Sequence, residues 1–396
     1  MAPLDLMSFS CEIAQPEVIS QQLDKLQEIH VDGIMVDVWW KIAQPLEDKF
    51  NFSGYRRFFE MCNERGMKIM PVLSFHACYD DGLTIDLPDY IIRHNFGYVD
   101  ADKKVNKEYI PPSFDNDKLG NLTPIEYYEK FMKAFKNEFK DMIKEGIISG
   151  IEVGLGPCGE LRYPSYCGEW RFPNAGAIQC FDEYSLKNMK NQMIKPPIWA
   201  TKYNESPNTI EEWKNVESNE QALEFFRWYN GVLCDHADII LSLARQIFGF
   251  KVRLFGKIPG IHWWYSDSSR CAEATAGFVT YEPETGYERI LKVFSLWNVG
   301  CCFTCLEKPK CKESHSDPQR LVKEIYDAST RCGIEFSGEN AQETYDSGDF
   351  KRIVSWRAQG MNEFTFLRFG SSMMKNQNFK AFTKFVKAMH ANKVFI

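Results

Sequence analysis

Residues 151–166 read IEVGLGPCGELRYPSY. The first half is a short apolar run ending in glycines, the pattern of a buried strand leaving a sheet into a turn. Gly156, Pro157 and Gly159 set a backbone path few residues can follow, and Glu160 comes next, beside Arg162, Tyr163 and Tyr166. A carboxylate at the C-terminal mouth of a buried strand is where a barrel enzyme carries its acid. The same residues also allow a plain loop ion pair between Glu160 and Arg162, and spacing alone does not separate the two readings.

Outward from this stretch the chain alternates short apolar runs with one-faced helical patterns. Strands are expected at Leu4–Phe9, Ile34–Trp39, Lys68–His76, Ile151–Gly154, Lys251–Ile258, Ala276–Thr280, Cys301–Leu306 and Phe364–Phe369. Between them, Glu17–His30 places Val18, Ile19, Leu23, Leu26 and Ile29 at helical spacing, and Tyr55–Arg65 ends at Gly66. Thr123, Pro124 and Glu126 form a capping box for a helix running to about Glu145, and a further helix is expected around Gln221–Phe248. Eight strands alternating with helices predict an α/β fold of the (β/α)8 barrel type. The polar insertions at about 77–121 and 157–220, the second Pro- and Asn-rich near Pro196–Asn208, are too long for ordinary connections. They predict a smaller lobe over the barrel's C-terminal face, within one catalytic domain spanning 1–396.

The composition sets the class of partner. A net charge of −7 disfavours nucleic acid, while a neutral polysaccharide tolerates it, and 14% aromatic residues with ten Trp suit both core packing and sugar stacking. Thirteen cysteines is an odd number, so at least one thiol is unpaired in a monomer, the state expected here. Cys302 and Cys305 form a CxxC followed by Cys311 and His315, but no second CxxC exists and the pair lies in a strand-like run. These read as reduced core thiols, with no metal. The amino terminus, MAPLDLMSFS, has no basic or long apolar segment, and no later run is a membrane span. A cytoplasmic protein is therefore expected, provided the sequence is the full precursor.

Asp37 lies in the middle of an apolar strand, where a carboxylate is costly unless it is paired or used on a ligand. His76 at a strand end is either a core histidine or a donor to a ligand. A hydrolytic site built on Glu160 needs a second carboxylate, and Glu339 and Glu307 are the candidates that the residues themselves offer.

The stretch GLGPCGELRYPSY resembles a signature of the β-amylases, inverting exo-acting starch hydrolases. GIMVDVWW at Gly33–Trp40, LSFHAC at Leu73–Cys78, KIPGIHWWY at Lys257–Tyr265, FTCLE at Phe303–Glu307 and SGENA at Ser337–Ala341 are similar to motifs of the same family in the same order. The resemblance implies Glu160 as general acid and Glu339 as general base, with Glu307 in support. It implies substrate contacts from Asp37, His76, Lys257, His262, Thr304, Asn340, Ala341 and Arg368, and no cofactor. Trp263 and Trp264 can stack a sugar ring or pack in the core. The substrate implied is an α-1,4-glucan of the starch or glycogen type, cleaved to maltose from non-reducing ends.

One departure stands out. The family continues HxCGGNVGD after this histidine, a mobile glycine-rich loop ending in an aspartate, whereas here the chain reads HACYDDGLTID. Tyr79 and Asp80 replace glycines, and the aspartate's position falls on or near Leu83. The alternative expectation is therefore a weak or inactive glucan-binding or sensing protein. A retaining or endo-acting barrel glycosidase is a third reading that the residues permit apart from the resemblance.

Overall fold

In the computed structural model, which describes residues 1–80, 82–165, 176–197, 216, 218–280 and 286–391, seven parallel strands wrap around a central axis. Their order is β1 (Gly33–Trp39), β2 (Lys68–Ser74), β7 (Ile151–Val153), β8 (Leu254–Ile258), β9 (Val299–Phe303), β10 (Phe336–Glu339) and β11 (Glu363–Thr365). Two antiparallel hairpins, β3 (Cys78–Asp80) with β4 (Leu83–Ile85) and β5 (Tyr98–Val99) with β6 (Val105–Asn106), rise from the insertion after β2. β1 is buried on both faces, with only Gly33 partly exposed, and is apolar apart from Asp37. Between β11 and β1 the backbone of Met1 and Ala2 spans the seam. Met1 N donates to Phe366 O at 2.7 Å, Ala2 N to Met35 O at 2.8 Å, and Phe369 N to Met1 O at 3.0 Å. The architecture is the parallel α/β barrel that the alternation predicts.

Two expected strands do not form, and one unexpected strand does. Leu4–Phe9 makes no ladder: Met7 has a single antiparallel bridge to Ile13, and Leu6 N bonds back to Pro3 O in a turn. Ala276–Thr280 follows a short helix, Cys271–Thr275, with Ala276 and Phe278 both bonded back to Glu273 O. Its apolar character serves the core, where Phe278 stacks on Tyr287 with centroids 4.4 Å apart. Conversely, Phe336–Glu339 is a strand although FSGE has little β propensity. Gly338 is needed there by packing, since a Cβ would lie 2.2 Å from Leu306 Cδ2 and 2.7 Å from Met361 Sδ.

The helices follow their end signals. Pro124–Glu138 has the full capping box, Thr123 accepting from Glu126 N and Glu126 accepting from Thr123 N, and a second helix, Lys140–Lys144, stops before Gly146 at φ 68°. Glu220–Phe248 is capped by the Asn219 side chain on Ala222 N and ended by Gly249. Helix Pro16–Glu28 buries Ile19, Leu23 and Leu26 but leaves Val18 exposed. Tyr166, Asp81 and residues 198–208 lie outside the described residues.

Candidate active site

The C-terminal ends of the strands open into a cavity of about 1020 Å³, as large as the larger small-molecule sites of proteins. Glu160, Glu339, Asp37, His76, Lys257, Thr304, Ala341 and Arg368 all line it. Residues scattered over more than three hundred positions are thus brought to one place by strand ends alone.

Glu160 is positioned by the turn that follows β7. Gly156 admits no side chain, because a Cβ would sit 2.3 Å from Glu160 O, and Cys158 takes a left-handed conformation at φ 55°. The chain then rejoins the barrel, with Glu160 bridged in parallel to Lys257 and Leu161 N bonded to Lys257 O at 2.8 Å. Arg162 Nε donates to Glu160 Oε2 at 2.7 Å. The loop ion pair and the cavity carboxylate are therefore the same object, because the paired group faces the cavity.

Glu339 ends β10 and is fully buried, with its Oε2 2.6 Å from Lys257 Nζ. Burial alone would lower the Lys257 ammonium, but the carboxylates around it, Glu339 foremost and then Glu160 and Glu152, outweigh burial and hold its pKa well above the usual value. Glu307, the rival second carboxylate, is occupied: it accepts from Ala341 N at 3.1 and 3.0 Å and from Gln342 N at 2.9 Å. It buckles the loop after Glu339, a supporting place.

Asp37 accepts from Ser74 Oγ and from Arg368 Nη1, each at 2.9 Å, so the mid-strand carboxylate is paired and still faces the cavity. His76 packs edge-on to Trp39, and burial pushes its pKa down to about 4, leaving a neutral ring whose Nδ1 has no protein partner. Two expected contacts are not brought to the cavity wall. Asn340 is fully buried, its amide donating to Gln342 O and Leu367 O and accepting from Leu367 N. It clamps β10 to the segment after β11, which leaves no polar atom for a ligand. His262 holds Ser316 Oγ at 2.7 Å and does not line the cavity. Trp264 is likewise buried, stacked on His315 with centroids 5.0 Å apart.

Sequence reasoning missed Glu152. It lies on β7 inside the barrel, almost fully buried, and burial first and Glu339 second push its pKa up to about 8. The argument applied to Asp37, a carboxylate inside an apolar strand, would have found it. Glu152, Cys302 and Glu339 place their ligand atoms within 4.8 Å of one another, with the Lys257 ammonium, held against Glu339, supplying a cation there. The twelve described cysteines are all free thiols.

Because the Glu152 carboxyl keeps its proton up to about pH 8, the folded state holds a proton that the unfolded chain loses near a normal carboxyl pKa. Stability should therefore fall as pH rises from about 4.5 to 8, and Glu152→Gln should remove that slope. Thermal melts of both proteins across this range check it. A parent and variant of the same pH dependence would show that Glu152 is not the proton carrier.

A parallel barrel whose strand ends gather two carboxyls, one beside an arginine and one beside a lysine, around one cavity has the groups that cleavage of a glycosidic bond needs. The family model described as glycosyl hydrolase family 14 matches residues 1–394, and the chain belongs to that family. A beta-amylase of Medicago sativa is 35% identical over 99% of this chain and 86% of its own. Beta-amylase 5 of Arabidopsis thaliana is 36% identical over 99% of this chain and 86% of its own. Among solved structures, the catalytic domain of the beta-amylase from Paenibacillus polymyxa superposes with a TM-score of 0.79 at 25% identity, covering 97% of this chain and 96% of that one.

Proposed function

We propose that the protein hydrolyses α-1,4-glucosidic bonds of starch- or glycogen-type glucans from their non-reducing ends, releasing maltose with inversion. The observation that carries this reading is the pair of buried carboxyls facing one cavity, Glu160 in the turn after β7 and Glu339 at the end of β10 beside Lys257.

In this reading Glu160 gives its proton to the glycosidic oxygen as the bond from that oxygen to C1 breaks. A water attacks C1 from the opposite face and loses a proton to Glu339, so one water is consumed for each bond cleaved. Lys257 Nζ, 2.6 Å from Glu339 Oε2, holds that carboxylate in place. Asp37, His76, Thr304, Arg368 and the backbone at Ala341 offer donors and acceptors to sugar hydroxyls. His262 and Asn340, expected as contacts, act at one remove, by fixing the loops they clamp.

The reading includes a monomer of one catalytic domain, with the insertions at about 77–121 and 157–220 as the lobe over the cavity, working without metal or cofactor and away from nucleic acid and membranes. Free thiols at the described cysteines favour a reducing compartment such as the cytoplasm. Among the described residues no helix is long and apolar enough to cross a membrane.

The test is to incubate the purified protein with soluble starch and follow the products by NMR. Maltose appearing first as the β-anomer is expected. An α-anomer would mean a retaining mechanism, and mixed longer oligosaccharides an endo-acting one. The second reading, a glucan-binding protein of little activity, is favoured by one feature: the segment after His76 is a paired hairpin, Cys78 opposite Ile85 and Asp80 opposite Leu83, in place of a glycine-rich loop. Tight binding of maltoheptaose without turnover would select it.

A further inference from the structure

Tyr79 is the large apolar side chain that this chain exposes inside its cavity. The other exposed large hydrophobic side chains among the described residues, such as Phe9, Phe250 and Leu296, lie away from the cavity wall, whereas Tyr79, 57% exposed, is part of it. A single exposed ring is ordinary; this one is set apart by lying in the wall of the cavity that holds Glu160 and Glu339.

The ring is also held. Tyr79 sits opposite Thr84 in the β3–β4 ladder, and its hydroxyl donates to Asp86 Oδ1 at 2.9 Å. Fixed at its backbone and its tip, it loses little side-chain entropy when a ligand lies on it. Its place relative to the chemistry follows from Glu108. That carboxylate lines the same cavity as Tyr79, and its Oε1 accepts from Cys158 N at 3.1 Å, two residues before Glu160. Tyr79 therefore shares a cavity wall with Glu160 and, being exposed where Glu160 is buried, lies outward of it. In an exo-acting site the non-reducing end fills the depth, and the acid serves the leaving oxygen, so what lies outward on the acid's side is the departing chain.

We propose that Tyr79 is a stacking platform for a glucosyl unit of the leaving portion of the glucan, a contact that sets preference for longer chains. The inference rests on the glucan-hydrolase reading above. The apolar C–H face of a glucose ring is complementary to the open face of the phenol, and the contact needs no charge from either side.

The experiment compares Tyr79→Ala, Tyr79→Phe and Tyr79→Trp in two measurements: calorimetric binding of maltoheptaose with Glu160→Gln added to each variant, and kcat and KM on soluble starch with Glu160 intact. Tyr79→Ala should weaken maltoheptaose binding and raise KM by about three- to tenfold, the range of an aromatic contact, with kcat changed by less than about twofold. Tyr79→Phe and Tyr79→Trp should stay within about twofold of the parent, because the ring is kept. If Tyr79→Phe loses as much as Tyr79→Ala, the Asp86 hydrogen bond matters and the platform is wrong. Unchanged binding in Tyr79→Ala with active parent enzyme also overturns the platform and leaves the glucan-hydrolase reading standing. A parent that neither binds maltoheptaose nor cleaves starch removes both.

Discussion

Glu160→Gln will leave the fold intact and slow starch hydrolysis by about 10²–10⁴-fold, the usual contribution of a general acid. The amide is nearly isosteric with the carboxyl, and its oxygen can still accept from Arg162 Nε, which now donates to Glu160 Oε2 at 2.7 Å. What it cannot do is hand over a proton. The sharper measurement uses a maltoside whose leaving group departs without one: the variant should lose far less on that substrate than on starch. Equal losses on both would remove Glu160 from the acid's role and assign it to binding. A melt shifted by more than a few degrees would instead show that its bond to Arg162 is structural.

Lys257→Met is expected to be the most destabilising single change in the site. Lys257 is the cation 2.6 Å from Glu339, and Glu160 and Glu152 also bear on it. Removing one member of a buried pair costs about 3–5 kcal/mol because the remaining charge is left uncompensated. Adding Glu339→Gln to Lys257→Met should restore stability relative to the single variant, since the stranded charge is gone. Urea unfolding of the two single variants and the double variant measures this. A Lys257→Met protein within about 0.5 kcal/mol of the parent would mean the pair is solvated and carries little.

The parts of the fold visible in the sequence are those where local pattern and tertiary role agree. β1 and β2 are continuous apolar runs because both faces are covered, and they were readable as strands. FSGE was not, because its glycine answers to the Leu306 side chain across the core, a contact no window of sequence contains. Ala276–Thr280 erred the other way: its apolar residues pack around Tyr287 without joining a ladder. In the site, Glu160, Glu339 and their neighbours came from motifs, and strand ends did assemble most of them. Asn340 belongs to the same motif as Glu339, yet its side chain is spent on the backbone of Leu367. Motifs record which residues travel together; they do not separate a hand that touches the ligand from one that steadies its neighbour.

That steadying extends around the mouth of the barrel. Asn340 ties β10 to Leu367, the next residue, Arg368, grips Asp37 on β1, and Asp37 takes the hydroxyl of Ser74 on β2. Half of the rim is thus hooped like a cask, each stave pinned to the next by a side chain. The β3–β4 hairpin stands outside the hoop, held by its own ladder and the bond from Tyr79 to Asp86. Substitutions in that hairpin can therefore reshape the mouth of the cavity while leaving in place the ties that fix Asp37 and the loop after Glu339.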